Sequence, residues 1–223
     1  MLLAFGLVCG LLEARRSGQG QVVDAAMLDG ALAQMAMSFG MRAAGQFSGE
    51  PGADLLSGAA PFYDTYATAD GKWVAVGALE PQFFRQLLEA MGIDPAQFAD
   101  AGFRGVNEPT NTEKWPALRV LLEQAFRTKT RDEWCALMEG TDICFAPVLA
   151  LSEVADHPHN RARQAVIDVA DVPQNAPAPR FSRTCPATPD PPPAPGAHTD
   201  EILLGFELTR EEIRELRAQG IIG

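Results

Sequence analysis

One carboxylate is set apart by its surroundings. Residues 60–84 read APFYDTYATADGKWVAVGALEPQFF, and Glu80 is the one charge in them between Lys72 and Arg85. Its neighbours Val76, Ala78, Leu79 and Phe83 are apolar. A carboxylate there is either a solvated turn residue or one aimed into a site. Other side chains with chemistry to offer are less well placed. His157 and His159 flank Pro158, but no third or fourth ligand lies nearby at a useful spacing, so a surface turn is expected rather than a metal site. A base at either histidine lacks a partner to position it. Cys9, Cys135, Cys144 and Cys185 form no C-x-x-C pair and fit no zinc module, and so few cysteines make no disulfide scaffold. Idle thiols in a reducing cytoplasm are the expectation, with no metal bound.

The elements around Glu80 follow from pattern. Residues 62–67 are aromatic and β-branched and read as a strand. Residues 69–72 supply a turn, since Gly71 accepts positive φ. Residues 73–77 alternate large and small apolar side chains, a second strand. Pro81 opens a helix where its missing N–H costs nothing, and Phe84, Leu87, Leu88 and Met91 form its stripe. Glu80 therefore sits at a strand-to-helix corner.

The rest of the chain frames this corner. Its 223 residues, 47% hydrophobic and 21% charged, suit one or two small globular domains. The net charge of -11 argues against a nucleic-acid partner. Residues 1–16 read as a helix apolar nearly all round, hence buried. The run 2–12 has no basic lead-in and is shorter than the ~20 residues a membrane span needs, so no membrane partner is expected. Gly18 and Gly20 read as a helix stop rather than a phosphate loop, because a helix precedes them instead of a strand. A long helix is expected over 25–44, with Met27, Met37 and Met41 on one face and Met35 elsewhere. Such a face either fills core or cradles a ligand of variable shape.

Glycine-rich residues 46–59 form a crossing. Trp115, Leu118, Leu122 and Phe126 mark a helix opened by Asn111 or Thr112, and Thr130 with Glu133 is a capping box. Residues 143–149 read as a strand with Cys144 in its core, 152–155 as a helix, and 166–172 as a strand. Residues 173–195 hold nine prolines and read as an extended linker. A short helix follows His198, and a last helix opens at the Thr209–Glu212 capping box and stops at Gly220.

The segments APFYDTY, TADGKWVAVGALEPQFF, TDICFAPVL, APRFSRT and PGAHTDEILLGFELTREEIRELRAQGII together resemble the family III CoA-transferase superfamily, and within it the α-methylacyl-CoA racemases. The likeness runs in order over essentially the whole chain. It implies an α/β fold: an incomplete large Rossmann-like family III domain plus a small α+β domain, joined by long crossings. The implied division is 1–45 in the large domain, with a short strand at 21–24; 46–59 a crossing; 60–172 the small domain; 173–198 a Pro-rich linker; and 199–223 helices returning to the large domain. It also implies a preceding N-terminal half, which this chain begins after.

The implied activity is that of an acyl-CoA 2-epimerase working by α-proton exchange. One face of the carbon next to the thioester loses a proton, the other gains one, and hydrogen-bond donors hold the enolate between. Two acid/base groups flank that carbon. In the family these are a His and an Asp of the front half, and none of His157, His159 or His198 matches that His. Glu80 matches the glutamate that orients the catalytic His across a subunit interface, fixing its tautomer. Tyr63 matches an aromatic facing the acyl group, and Leu56 and Leu79 the same wall; hairpin packing is the other reading of Tyr63 and Leu79. Met27, Met37 and Met41 match a methionine-rich acyl surface. The implied partners are an acyl-CoA thioester and an interlocked homodimer, with no cofactor beyond the CoA of the substrate. Two alternatives stay open. One is a family III CoA-transferase, although those usually lack the L-E-P-Q-F wording. The other is an inactive remnant or dimerisation module.

Overall fold

The computed structural model describes residues 1–105 and 110–223. It is mixed α/β with small sheets, and the chain forms two compact units, Met1–Val148 and Leu149–Gly223.

In the first unit a three-stranded antiparallel sheet runs in the order β1 (Tyr63–Ala67), β2 (Trp73–Gly77), β3 (Phe145–Val148). The hairpin register pairs Tyr63 with Gly77 and Tyr66 with Val74. One face of it is core. Phe62, Tyr66, Val74 and Val76 are buried against three helices: α4 (Pro81–Ala90), α5 (Trp115–Phe126) and α6 (Arg131–Met138). Their stripes follow the 3.6-residue repeat: Phe84, Leu87 and Leu88; Leu118, Leu122 and Phe126; Trp134 and Met138.

Aromatic rings dominate this core. Phe62 meets Phe84 at 5.1 Å and the edge of Trp115 at 5.9 Å, and Tyr66 stacks on Phe126 at 5.0 Å. Their polar ends are satisfied, because an unpaired buried donor is costly. Trp115 Nε1 donates to the Ala101 carbonyl at 2.8 Å, and Trp134 Nε1 to that of Phe126 at 2.9 Å. The Tyr66 hydroxyl donates to the Pro61 carbonyl, and burial pushes its pKa well up.

The hairpin turn is tied to α6. Asp70 accepts from the Thr68 hydroxyl and from the Arg131 backbone N–H at 3.2 Å. Thr130 caps α6, its hydroxyl accepting from Glu133 N at 3.3 Å, while Glu133 Oε2 accepts from Thr130 N at 2.8 Å. The buried Arg131 guanidinium donates to the Val148 carbonyl at 2.9 Å, linking α6 to β3.

Several sequence expectations change here. The long helix over 25–44 is two helices, α2 (Met27–Gln34) and α3 (Ala36–Ala43), interrupted at Met35 with φ -83° and ψ 4°. Residues 21–24 are not in a strand; Val23 instead seats against α1 (Leu2–Ser17), where a Cβ on Gly6 would come within 2.7 Å of it. Helix α1 was expected to be buried, yet it buries none of its residues, and Phe5 and Leu11 are 68% and 64% exposed. Cys144 is exposed, with φ 58°, rather than in a strand core. Ile143 alone of that pair turns inward.

The second unit holds the hairpin β4 (Val166–Val169) and β5 (Val172–Asn175), and the helices α7 (Pro158–Ala162), α8 (Thr199–Gly205) and α9 (Arg210–Ala218). The expected strand over 166–172 is thus two strands, turning at Ala170 and Asp171, both at positive φ. The Asp171 N–H is held by Asp168 Oδ1 at 2.8 Å. Residues 151–153 form a single tight turn where a helix was expected. Thr209 and Glu212 make the expected capping box, and Arg217 pairs with Asp200 at 2.7 Å.

Two outcomes test this account. Leu122→Ala empties part of a fully buried site and should cost about 2–5 kcal/mol in urea unfolding; a loss under 1 kcal/mol would contradict the packing. The hydrogen bonds from Thr68 and Arg131 hold Asp70 below the usual carboxylate range, and those of Thr130 do so for Glu133. Depressed carboxylates contribute stability that is complete above their unfolded values, near ~4, and is lost as pH falls through their folded ones. The urea midpoint, followed by tryptophan fluorescence, should fall below about pH 4, and less steeply in Asp70→Asn. An identical decline in that variant would remove Asp70 from the explanation.

Candidate functional site: a groove on the outer face of the hairpin

Side chains alternate across a strand, so burying Phe62, Tyr66, Val74 and Val76 turns Tyr63, Thr65, Ala75 and Gly77 outward. The outward set is mostly small. Ala75 faces Thr65 across one ladder and Ala146 across the other, and Gly77 faces Tyr63. The result is a trough of about 550 Å³, floored by Ala75, Gly77 and Ala146. Tyr63 and Thr65 stand on one flank and Cys144 and Phe145 on the other, with Leu56, Ser57 and Gly58 as a wall. A Cβ on Gly77 would sit in ordinary contact with the Tyr63 ring at 3.7 Å and the Cys144 carbonyl at 3.8 Å, so its absence leaves the trough deeper without relieving a clash.

The wall is a wide helical turn at Leu55–Ala59, with Gly58 at φ 102°. Asp54 begins it, accepting from Ser48 N at 2.8 Å, Ser48 Oγ at 3.0 Å and Gly49 N at 3.3 Å. These bonds, led by that from the Ser48 backbone, hold its carboxyl below the usual range. Arg119 of α5 holds its other end through the Gly58 and Ala59 carbonyls.

Glu80 precedes Pro81 as the N-terminal flanking residue of α4, with φ -71° and ψ 145°. Its side chain does not cap the helix and is exposed. Its charge nonetheless reaches a residue of the groove. Partial burial pushes the Cys144 thiol up, and the Glu80 charge raises it further, followed by Asp142.

The structure thus brings Leu56 and Tyr63 together, half-exposed at 41% and 39%; Glu80 is exposed and does not line the groove, and bears on it only through its charge on Cys144. Leu79 is half-buried against the core and does not line the groove. Met27 and Met37 are 92% and 62% exposed on α2 and α3, and Met41 is half-buried. The interruption at Met35 means that they do not share one continuous helix face. His157 flanks the start of α7 and His159 lies in its first turn, and no cluster able to hold a metal occurs among the described residues. Sequence reasoning passed over Arg119 and Asp64. Their spacing of 55 residues leaves no local pattern; the one available signal was Arg119 set between two positions of an apolar stripe.

The fold is that of one half of a larger α/β architecture. Solved structures with the same arrangement include Rv3272 of Mycobacterium tuberculosis, with a TM-score of 0.65 and 23% identity over 89% of this chain and 50% of that one. A CaiB/BaiF family protein of Brucella suis matches with a TM-score of 0.61 and 23% identity over 87% of this chain and 50% of its own. The chain belongs to CoA-transferase family III, whose sequence profile matches residues 1–199. Among curated relatives, the α-methylacyl-CoA racemase of Mus musculus is 37% identical over 100% of this chain and 57% of its own length. That of Homo sapiens is 36% identical over 100% and 56%. The succinyl-CoA–D-citramalate CoA-transferase of Chloroflexus aurantiacus is 31% identical over 98% and 55%. The chain therefore spans about half the length of the curated relatives it matches. No helix among the described residues is long and apolar enough to cross a membrane.

The placement of Glu80 has a readout that needs no enzymatic activity. Glu80→Gln removes a charge that disfavours the Cys144 thiolate, the reactive form. Alkylation of Cys144 by iodoacetamide at pH 8, followed by peptide mass spectrometry, should accelerate roughly two- to threefold, and Glu80→Asp should behave as wild type. An unchanged rate in Glu80→Gln would put the carboxylate away from the groove.

Proposed function

We propose that this chain is the C-terminal portion of an acyl-CoA 2-epimerase of the α-methylacyl-CoA racemase type. The observation that carries the reading is the groove itself: Tyr63 and Leu56 line it and the Glu80 charge reaches its Cys144, within a chain 37% identical along its whole length to a racemase. The base takes the α-proton from one face of the thioester, and the electron pair moves onto the carbonyl oxygen as an enolate. The conjugate acid on the other face then returns a proton to carbon. In this reading the His and Asp that do so come from the half of the relatives that this chain does not span. Glu80 accepts the N–H of that imidazole and fixes its tautomer, as a positioning residue. Tyr63 and Leu56 bound the acyl side, and Met27, Met37 and Met41 offer soft apolar surface to the acyl chain. The enzyme works as an interlocked homodimer in the cytoplasm, with no cofactor besides the CoA of its substrate.

A second reading, transfer of CoA between carboxylic acids, is favoured by the 31% identity to the D-citramalate CoA-transferase over 98% of the chain. The two separate in heavy water. The chain joined to the N-terminal portion of its relatives should incorporate deuterium at C2 of a 2-methylacyl-CoA and lose optical activity, without an acceptor acid. Transfer to an added carboxylate with no exchange would establish the second reading. Exchange by the 223-residue chain alone would overturn the assignment of the acid/base pair to the other half.

A further inference from the structure

The groove wall is pinned from outside the groove. Arg119 Nη2 donates to the Gly58 carbonyl at 2.7 Å and to that of Ala59 at 3.2 Å, while Nη1 pairs with Asp64 of β1. The pair is mostly covered, with 29% and 24% of the two side chains exposed. Arg119 shares α5 with the core residues Leu118 and Leu122, but its guanidinium is directed to the turn and to the strand edge. At the other end of the turn Asp54 holds residues 48 and 49. Leu56 is suspended between these two clamps.

We propose that Arg119 is a positioning residue that sets the width of the groove, and so the bulk of the group admitted beside Tyr63, by holding the Leu55–Ala59 turn against β1. Only a planar fork meets two carbonyls and a carboxylate at once; an ammonium is a single point of charge. Arg119→Lys therefore keeps the attraction to Asp64 and releases the turn. Gly58, at positive φ, is the place where a released turn swings. That the admitted group is the acyl part of a thioester rests on the function proposed above; the width control does not.

Cys144 on the flank of the groove is the reporter. The 223-residue chain is alkylated with iodoacetamide and with a bulky N-pyrenylmaleimide, and modification of Cys144 is followed by peptide mass spectrometry. Arg119→Lys should raise the bulky-to-small rate ratio roughly tenfold, the scale of losing charge-assisted hydrogen bonds, with the iodoacetamide rate unchanged. Arg119→Met should do the same. A ratio unchanged in both variants overturns the proposal. Equal acceleration of both reagents, with a lowered urea midpoint, also overturns it, because it shows general loosening. In parallel, millimolar 2-methylacyl-CoA thioesters of increasing bulk are tested for protection of Cys144. Protection in wild type that extends to bulkier acyl groups in Arg119→Lys supports the proposal and the acyl reading together. No protection in either protein removes the acyl reading, while the rate ratio still decides the role of Arg119.

Discussion

Neighbouring side chains of a strand point to opposite faces, and in the β1–β2 hairpin that constraint separates core from groove. Phe62, Tyr66, Val74 and Val76 go inward, while Tyr63, Ala75 and Gly77 go outward. A slip of one residue would expose the first set and bury the second, so apolar burial locks the register. The same burial makes the outer face shallow. The pairing leaves Gly77 opposite Tyr63, and Ala75 between Thr65 and Ala146. The groove is thus a consequence of the core.

Polar contacts add what burial leaves loose. Apolar packing is non-directional, and it does not set where a loop stands relative to a strand. Asp70 anchors the hairpin turn to α6, Arg131 ties α6 to β3, and Arg119 holds the Leu55–Ala59 turn beside β1. Each bridges elements that are separate in the chain. The aromatic core obeys a similar economy. Trp115, Trp134 and Tyr66 place large apolar surfaces inside and hand their single donors to backbone carbonyls.

Helix α1 is a different case. Its apolar pattern runs nearly all round, and its surface stays open in this chain apart from contacts such as Val23 in the notch at Gly6 and Gly10. Phe5 and Leu11 stand 68% and 64% exposed on a helix whose composition reads as buried, in a chain that spans about half the length of its relatives. Large exposed apolar surface favours association.

Local pattern was enough for the hairpin, for α4, α5, α6 and α9, and for both capping boxes, because period and end signals are written within a few residues of each other. Five segments between residue 60 and the C-terminal tail, taken together, were enough for the family. Patterns that depend on what an element meets were not legible. Helix α1 reads as buried from composition, but burial needs a partner surface. The helix over 25–44 breaks at Met35 with no glycine or proline to announce it, and at Ala170 and Asp171 a lone aspartate turns a run that otherwise reads as one strand. Tertiary structure alone brought Leu56 to Tyr63, left Leu79 against the core, and recruited Arg119 across 55 residues to Asp64. The physical reason is range: propensity and periodicity act over a turn or two, whereas a groove wall is defined by which distant groups finally come within hydrogen-bonding distance.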